Sequence, residues 1–272
     1  MILTVLHKTR YDFETPVAGI IQSQRLTPAR CEGQRVINWQ VEVPDAVMGQ
    51  VFRDGAGDYI QTVSLRKPAT HIEVTVSGTV ETSDTSGVLR GHRERVPPRA
   101  YMRATPRTKP NRAIAQLVSE ALDGHADAPG LERAHLLAAA VAEALPYRPG
   151  ATHAHTTAAE AMNEGAGVCQ DHAQVLIACA HLTDLPARYV AGYLNATDDG
   201  SPHEASHAWA ELFIDGLGWV GFDATNKCCP NEHYIRLGSG LDAQDAAPIR
   251  GLVLGGAVEA LDVTVVIEAQ QQ

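Results

Sequence analysis

The chain has no excess of basic charge. Its 22 Lys+Arg against 32 Asp+Glu leave a formal net charge of −10 at pH 7, whereas proteins that hold nucleic acid or an anionic membrane present a basic face. It also lacks a membrane span. The longest uninterrupted apolar run is Leu136–Ala142, far below the ~20 residues that a transmembrane helix needs. The N-terminal segment Met1-Ile-Leu-Thr-Val-Leu-His-Lys8 turns polar too soon for a signal sequence. Cysteine is scarce: Cys31, Cys169, Cys179, Cys228 and Cys229 are odd in number and irregularly spaced. That argues for reduced thiols in a cytoplasmic protein and against a disulfide framework. The expectation is a protein without nucleic-acid or membrane partners.

What remains is enough for a core, with 44% apolar and 20% charged residues. The first hundred residues alternate with period two at Leu3–Tyr11, Ile37–Val43, Tyr59–Leu65 and Ile72–Val76. This predicts antiparallel strands buried on one face, with a turn at Asp54–Gly57. Residues 97–111 are rich in Pro and Arg. They read as a linker or surface connection, and the basic stretch Arg90–Arg112 as its solvated side chains. Helical patterns follow from Ile114, across Leu131–Leu145, after the capping box Thr157–Glu160, and from Cys169 onward. Strands return at Ala187–Leu194, His207–Ile214 and Trp219–Asp223, the last two joined by the hairpin Asp215–Gly218, and again at Leu261–Glu268. The domain expectation is a β-rich unit over 1–96, a linker over 97–111, and an α+β unit over 112–272 that carries the C-terminal strands.

Two constellations could carry chemistry. In the first, Cys169 follows Gly165-Ala-Gly167 and opens a helix. First-turn amides and the helix dipole stabilise an anion there, and a thiolate is the nucleophilic form. His207 and Asp223 could supply a base and its orienter. Ideal hairpin counting pairs Ile214 with Trp219, however, and so His207 with Asn226 and Ala210 with Asp223. Asp223 reaches the face of His207 only through a bulge or an off-centre turn. By spacing alone Asn226 is a competing orienter.

The second constellation is His203-Glu204-Ala-Ser-His207, which matches H-E-x-x-H. On a helix the two histidines would bind zinc and Glu204 would act as general base. The alternation of His207–Ile214 favours a strand and therefore the cysteine site.

Gly167-Val-Cys-Gln-Asp-His-Ala173, Leu185-Pro-Ala-Arg-Tyr-Val-Ala-Gly-Tyr193, His207-Ala-Trp-Ala-Glu-Leu212 and Gly218-Trp-Val-Gly-Phe-Asp-Ala-Thr-Asn226 resemble, in order, the motifs of the transglutaminase-like cysteine peptidase superfamily. The region before Pro97 resembles, more loosely, the β-rich N-terminal domain of bacterial members. The resemblance implies an α+β fold in which helices pack on an antiparallel papain/transglutaminase-like sheet. It implies Cys169 as nucleophile, His207 as base and Asp223 as its partner, and so selects Asp223 over Asn226. Ala224 departs from the Pro that the family often has there.

The implied activity is acyl transfer from a peptide, isopeptide or other amide, with hydrolysis favoured over transamidation. No cofactor or metal is implied. The Cys169 backbone N–H and a second donor, for which Asn163 is the candidate, would hold the oxyanion. The rival readings are the zinc hydrolase and a catalytically idle binding module on the same fold.

Overall fold

A computed structural model describes residues 1–125, 127–195, 206–255 and 258–270. Its strands form three four-stranded antiparallel sheets. The period-two segments fold as expected into β1 (Ile2–Val17), β3 (Gln34–Glu42), β5 (Tyr59–Leu65) and β6 (Ala69–Thr82). Joining them are β2 (Gly19–Gln24) and β4 (Val47–Arg53), which the alternation did not reveal. The chain later adds β7 (Ala187–Leu194), β8 (Ser206–Ile214), β9 (Gly218–Phe222), β10 (Tyr234–Gly240), β11 (Ile249–Leu254) and β12 (Glu259–Gln270).

Two sheets, ordered β12-β1-β6-β3 and β11-β2-β5-β4, face each other as a sandwich. Phe13, Ile72, Val74 and Val76 from the first meet Ile20, Val63 and Leu65 from the second in a common core. This corrects the domain expectation. The C-terminal strands belong to the N-terminal sandwich: β12 pairs with β1 from Ile2↔Gln270 to Phe13↔Glu259, and β11 pairs with β2. The pattern of a strand shows that it pairs, but not with which partner.

The third sheet, β10-β7-β8-β9, is covered on both sides. On one face Ala187, Tyr189 and Ala191 of β7, with Ala208, Ala210 and Leu212 of β8, pack under α1 (Arg112–Ala121), α2 (Gly130–Ala144), α3 (Ala158–Glu164) and α4 (Cys169–His181). On the other, Tyr193, Ile235 and Leu237 meet Leu3, Val5 and Val80 of the sandwich. Double coverage explains why all seven residues of β10 are buried although Arg236, Gly238 and Gly240 make it read as a loop.

The connection between the units is a packed strap. Gly87–Leu89 extend the edge of β9 through Gly221 N–H to Gly87 O (2.9 Å) and Leu89 N–H to Trp219 O (2.9 Å). A short 3₁₀ turn, Pro98–Met102, buries Tyr101 edge-on to Trp219 at 5.2 Å. The basic side chains at 90, 93, 95, 99, 103, 109 and 112 are exposed, as expected for a solvated connector.

Candidate active site

Each site residue stands where its local sequence puts it. Thr157 caps α3 through Glu160, and Gly165 ends that helix in the left-handed conformation (φ 65°) that glycine adopts without strain. Gly167 then permits a close approach, because a Cβ there would lie 2.7 Å from that of Asp171. Asp171, fully buried, accepts Val168 N–H (2.9 Å) and Thr152 Oγ1–H (2.6 Å). It thereby fastens both the start of α4 and the preceding loop. Cys169 is the first residue of α4, half-buried, at the positive end of the helix dipole.

His207 opens β8, and the hairpin register decides what it meets. The turn is off-centre: Ile214 pairs with Gly218, not with Trp219, and the register continues to Ala210↔Phe222. Gly216 and Gly218 supply the positive φ values (83° and 87°) that this three-residue connection needs. The shift by one residue places Asp223 opposite Trp209 and hence on the face of His207. His207 Nε2 donates to Asp223 Oδ2 at 2.6 Å, and the imidazole also hydrogen-bonds Cys169. With Nε2 committed to the carboxylate, Nδ1 is the nitrogen left for the sulfur.

Asn226, the competitor by spacing, is in the site as well. Its Nδ2 donates to the same Asp223 oxygen at 2.7 Å and stands 3.4 Å from His207 Nε2. Tyr234 O–H gives Oδ2 a third bond at 2.8 Å, while Oδ1 accepts the backbone N–H groups of Thr225 (3.0 Å) and Asn226 (3.2 Å). Tyr234 was not visible from the sequence, since nothing there marks β10 as the neighbour of β7.

The electrostatics follow from these contacts. Burial pushes the His207 imidazole down, but the hydrogen bonds to Asp223 and Cys169, and then their charges, outweigh it and lift the group to about 10. Burial likewise raises the Asp223 carboxyl, yet His207, Asn226 and Tyr234 together hold it below the usual range. At neutral pH the site therefore presents an imidazolium to Cys169, backed by a carboxylate. The other four thiols are all pushed up by burial, Cys179 to about 12.

The remaining sequence-derived residues are Asn163, His203 and Glu204. Asn163 is exposed near the end of α3, and its Oδ1 accepts Asn111 Nδ2 at 3.4 Å. Among the described hydrogen bonds it makes none to Cys169, and the bond from Asn111, the N-cap of α1, leaves its Nδ2 as the donor. His203 and Glu204 lie outside the described residues. The second histidine of their motif, His207, begins a strand and gives Nε2 to Asp223, which is not the helical i, i+4 arrangement that a zinc pair requires.

Beneath the site lies a buried charge cluster that sequence reading missed. Glu211, two residues beyond Trp209 on the same face of β8, accepts Arg188 Nε (2.6 Å) and Arg236 Nε (2.8 Å). Arg188 continues to Glu94 of the strap (2.9 Å), and Arg236 to Asp58 of the sandwich (2.6 Å). The signal was present: a glutamate between Trp209 and Phe213 on one face of a strand demands a cationic partner.

Comparison with known proteins gives this geometry its context. A model of the transglutaminase-like superfamily matches residues 116–224, and one of the bacterial transglutaminase-like N-terminal region matches residues 3–81. An uncharacterized protein of Mycobacterium leprae is 31% identical over 97% of this chain and 98% of its own length. An uncharacterized protein of Mycobacterium tuberculosis is 27% identical over 92% and 86%. A crystal structure from Cytophaga hutchinsonii, named as that of a "Putative Cysteine Protease", superposes with a TM-score of 0.66 at 21% identity, covering 100% of this chain and 92% of that one.

Proposed function

The chain belongs to the transglutaminase-like superfamily, a fold of cysteine-based acyl transfer, and we propose that it cleaves amide bonds hydrolytically through Cys169, His207 and Asp223. The observation that carries this reading is the 2.6 Å His207–Asp223 bond behind an imidazole that also hydrogen-bonds a helix-starting cysteine. The Cys169 sulfur, as thiolate, attacks the carbonyl carbon. The backbone N–H of Cys169 donates to the developing oxyanion. Collapse of the tetrahedral species breaks the C–N bond as His207 passes its proton to the leaving amine. The thioester that remains is attacked by water, His207 taking one proton from it. The acid leaves, and the thiolate–imidazolium pair is restored. Asp223 keeps the imidazole oriented throughout and stabilises its charge. Water needs no binding site of its own, so a thioester on a half-exposed cysteine favours hydrolysis over transfer to a second amine.

The substrate class is a peptide, isopeptide or other carboxamide. Five unpaired cysteines favour a reducing, cytoplasmic location.

The test is chemical first and catalytic second. Iodoacetamide at mildly acidic pH should modify Cys169 ahead of the other four thiols, followed site by site with mass spectrometry. In a screen of peptide and isopeptide substrates, Cys169→Ala should lose all turnover. An active Cys169→Ala protein, or a Cys169 that stays unmodified while Cys228 reacts, would refute the reading.

A further inference from the structure

Three donors converge on one oxygen of Asp223, and one of them, the Asn226 amide, can turn to present an acceptor in the donor's place. Asn226 Nδ2 donates to Asp223 Oδ2 at 2.7 Å while lying 3.4 Å from His207 Nε2. Because Nε2 also donates to that oxygen, the 3.4 Å approach brings two donors side by side and is not itself a bond. Half a turn of the amide about its terminal torsion exchanges nitrogen for oxygen, and that torsion is soft and two-fold. The exchange sets Oδ1 in front of the His207 N–H.

The backbone keeps Asn226 in place by more than the two bonds that the Asp223 side chain accepts from the N–H groups of Thr225 and Asn226. The segment 223–228 is closed by paired main-chain bonds, Asp223 N–H to Cys228 O (2.8 Å) and Cys228 N–H to Asp223 O (3.1 Å), with Asn226 inside the loop. Asn226 is itself exposed, so it is not held there by a role in the core.

We propose that Asn226 is a positioning residue: it fixes the Asp223 carboxylate in the intact site and is a reserve orienter of His207, a Cys-His-Asn arrangement held behind the Cys-His-Asp one. This rests on the catalytic reading above. Asn226 acts through Asp223 and His207 and touches no reacting atom. A neutral amide oxygen stabilises an imidazolium less than a carboxylate does, so the reserve arrangement is weaker.

The experiment needs no knowledge of the natural substrate. Its readout is the rate of Cys169 alkylation by iodoacetamide, measured across pH on folded protein for N226A, D223A, D223A/N226A and D223A/N226D. N226A should slow alkylation about threefold, and D223A/N226A should be about tenfold slower than D223A, the size of coupling expected between residues sharing one hydrogen-bond network. D223A/N226D should recover most of the loss and restore the wild-type shape of the pH profile. A merely structural Asn226 would give no such rescue.

If Cys169 of the unmodified protein is not alkylated ahead of the other thiols, the catalytic reading falls and this proposal with it. If it is, but D223A and D223A/N226A react equally, the reserve role alone is overturned. If D223A fails to fold, D223A/N226D must fold and be alkylated at a recovered rate, and its failure to do so would also overturn the proposal.

Discussion

His7 in the sandwich and His207 in the catalytic sheet are both buried histidines on antiparallel strands, and they are driven in opposite directions. His7 meets only neutral partners, Tyr193 Oη at 2.7 Å and Thr9 Oγ1 at 2.8 Å. Burial therefore prevails and pushes it down to about 4. His207 is as well buried, but it faces Asp223 and is lifted to about 10. Burial alone turns an imidazole into a neutral hydrogen-bonding ring, whereas burial with a carboxylate makes it a held cation. The same contrast separates the two regions. The sandwich buries apolar faces and leaves ion pairs such as Arg35–Glu81 at its surface, while its one fully buried carboxylate among the described residues, Asp58, serves the Arg236 of the other sheet. The catalytic sheet, covered on both sides, must pair its charges inside.

The sharpest way to break this comparison is by activity. His207→Ala should lower turnover by about 10⁴-fold or more, as expected for the base of a unit that acts together. His7→Phe should leave kcat within a few-fold. Steady-state kinetics on any amide substrate found in the screen compare the two, and a comparable loss from both would show that the sandwich histidine takes part in the chemistry.

Stability offers the next test. Glu211→Gln removes the anion that Arg188 and Arg236 share and leaves each with one carboxylate, Glu94 and Asp58, and should cost about 1.5–3 kcal/mol, the range for hydrogen bonds to a charged group. Removing Arg35 from its exposed pair, or changing the exposed Leu252 to Ser, should move a denaturation midpoint hardly at all. Urea titrations of the three variants would decide it.

The smallest and most specific effects are in pH. His7 is depressed from 6.5 to about 4, so its contribution to stability is whole above pH 6.5 and is lost as pH falls through 4. Glu211, depressed from 4.5 to about 2 by Arg236 and Arg188 against its burial, loses its contribution lower down, as pH falls from 4.5 through 2. His207, raised from 6.5 to about 10, contributes fully below 6.5 and loses that contribution as pH rises through 10. Unfolding free energy measured against pH should therefore rise less steeply between 4 and 6.5 in His7→Gln, with the slope that remains including that of His181, which burial also pushes down. The fall in stability above pH 6.5 should become shallower in His207→Gln.

Much of this was legible in the sequence, for reasons that particular residues make clear. The half-buried strands β1, β5 and β6 alternate because one face meets the opposing sheet. Gly165, Gly167 and Cys169 announced a helix start built around a thiol. The choice between Asp223 and Asn226 could not be read from the strands, because it hangs on whether Ile214 pairs with Gly218 or with Trp219, a matter of where two left-handed glycines sit in a turn. Both residues then proved to meet at His207, which no count of positions implies. The strands β4 and β11 were hidden by Gly49 and Gly251, and β10 by its charge and glycines, whose acceptability comes from partners far away in the chain. The zinc motif drew on the spacing of His203 and His207, but spacing of four has meaning only on a helix.

The pairing of β12 with β1 has a consequence for how the protein comes into being. The catalytic sheet and its helices are, topologically, an insertion between the early and late strands of one sandwich. On the ribosome, the sandwich waits without the strand that flanks β1 while the inserted unit is made. Closure of that seam joins the opposite ends of the described polypeptide, the kind of contact that makes folding slow. Until that strand arrives, β1 presents an unpaired edge, and its arrival passes the edge to β12, which carries Glu259, Asp262 and Glu268, the charge that discourages edge-to-edge pairing.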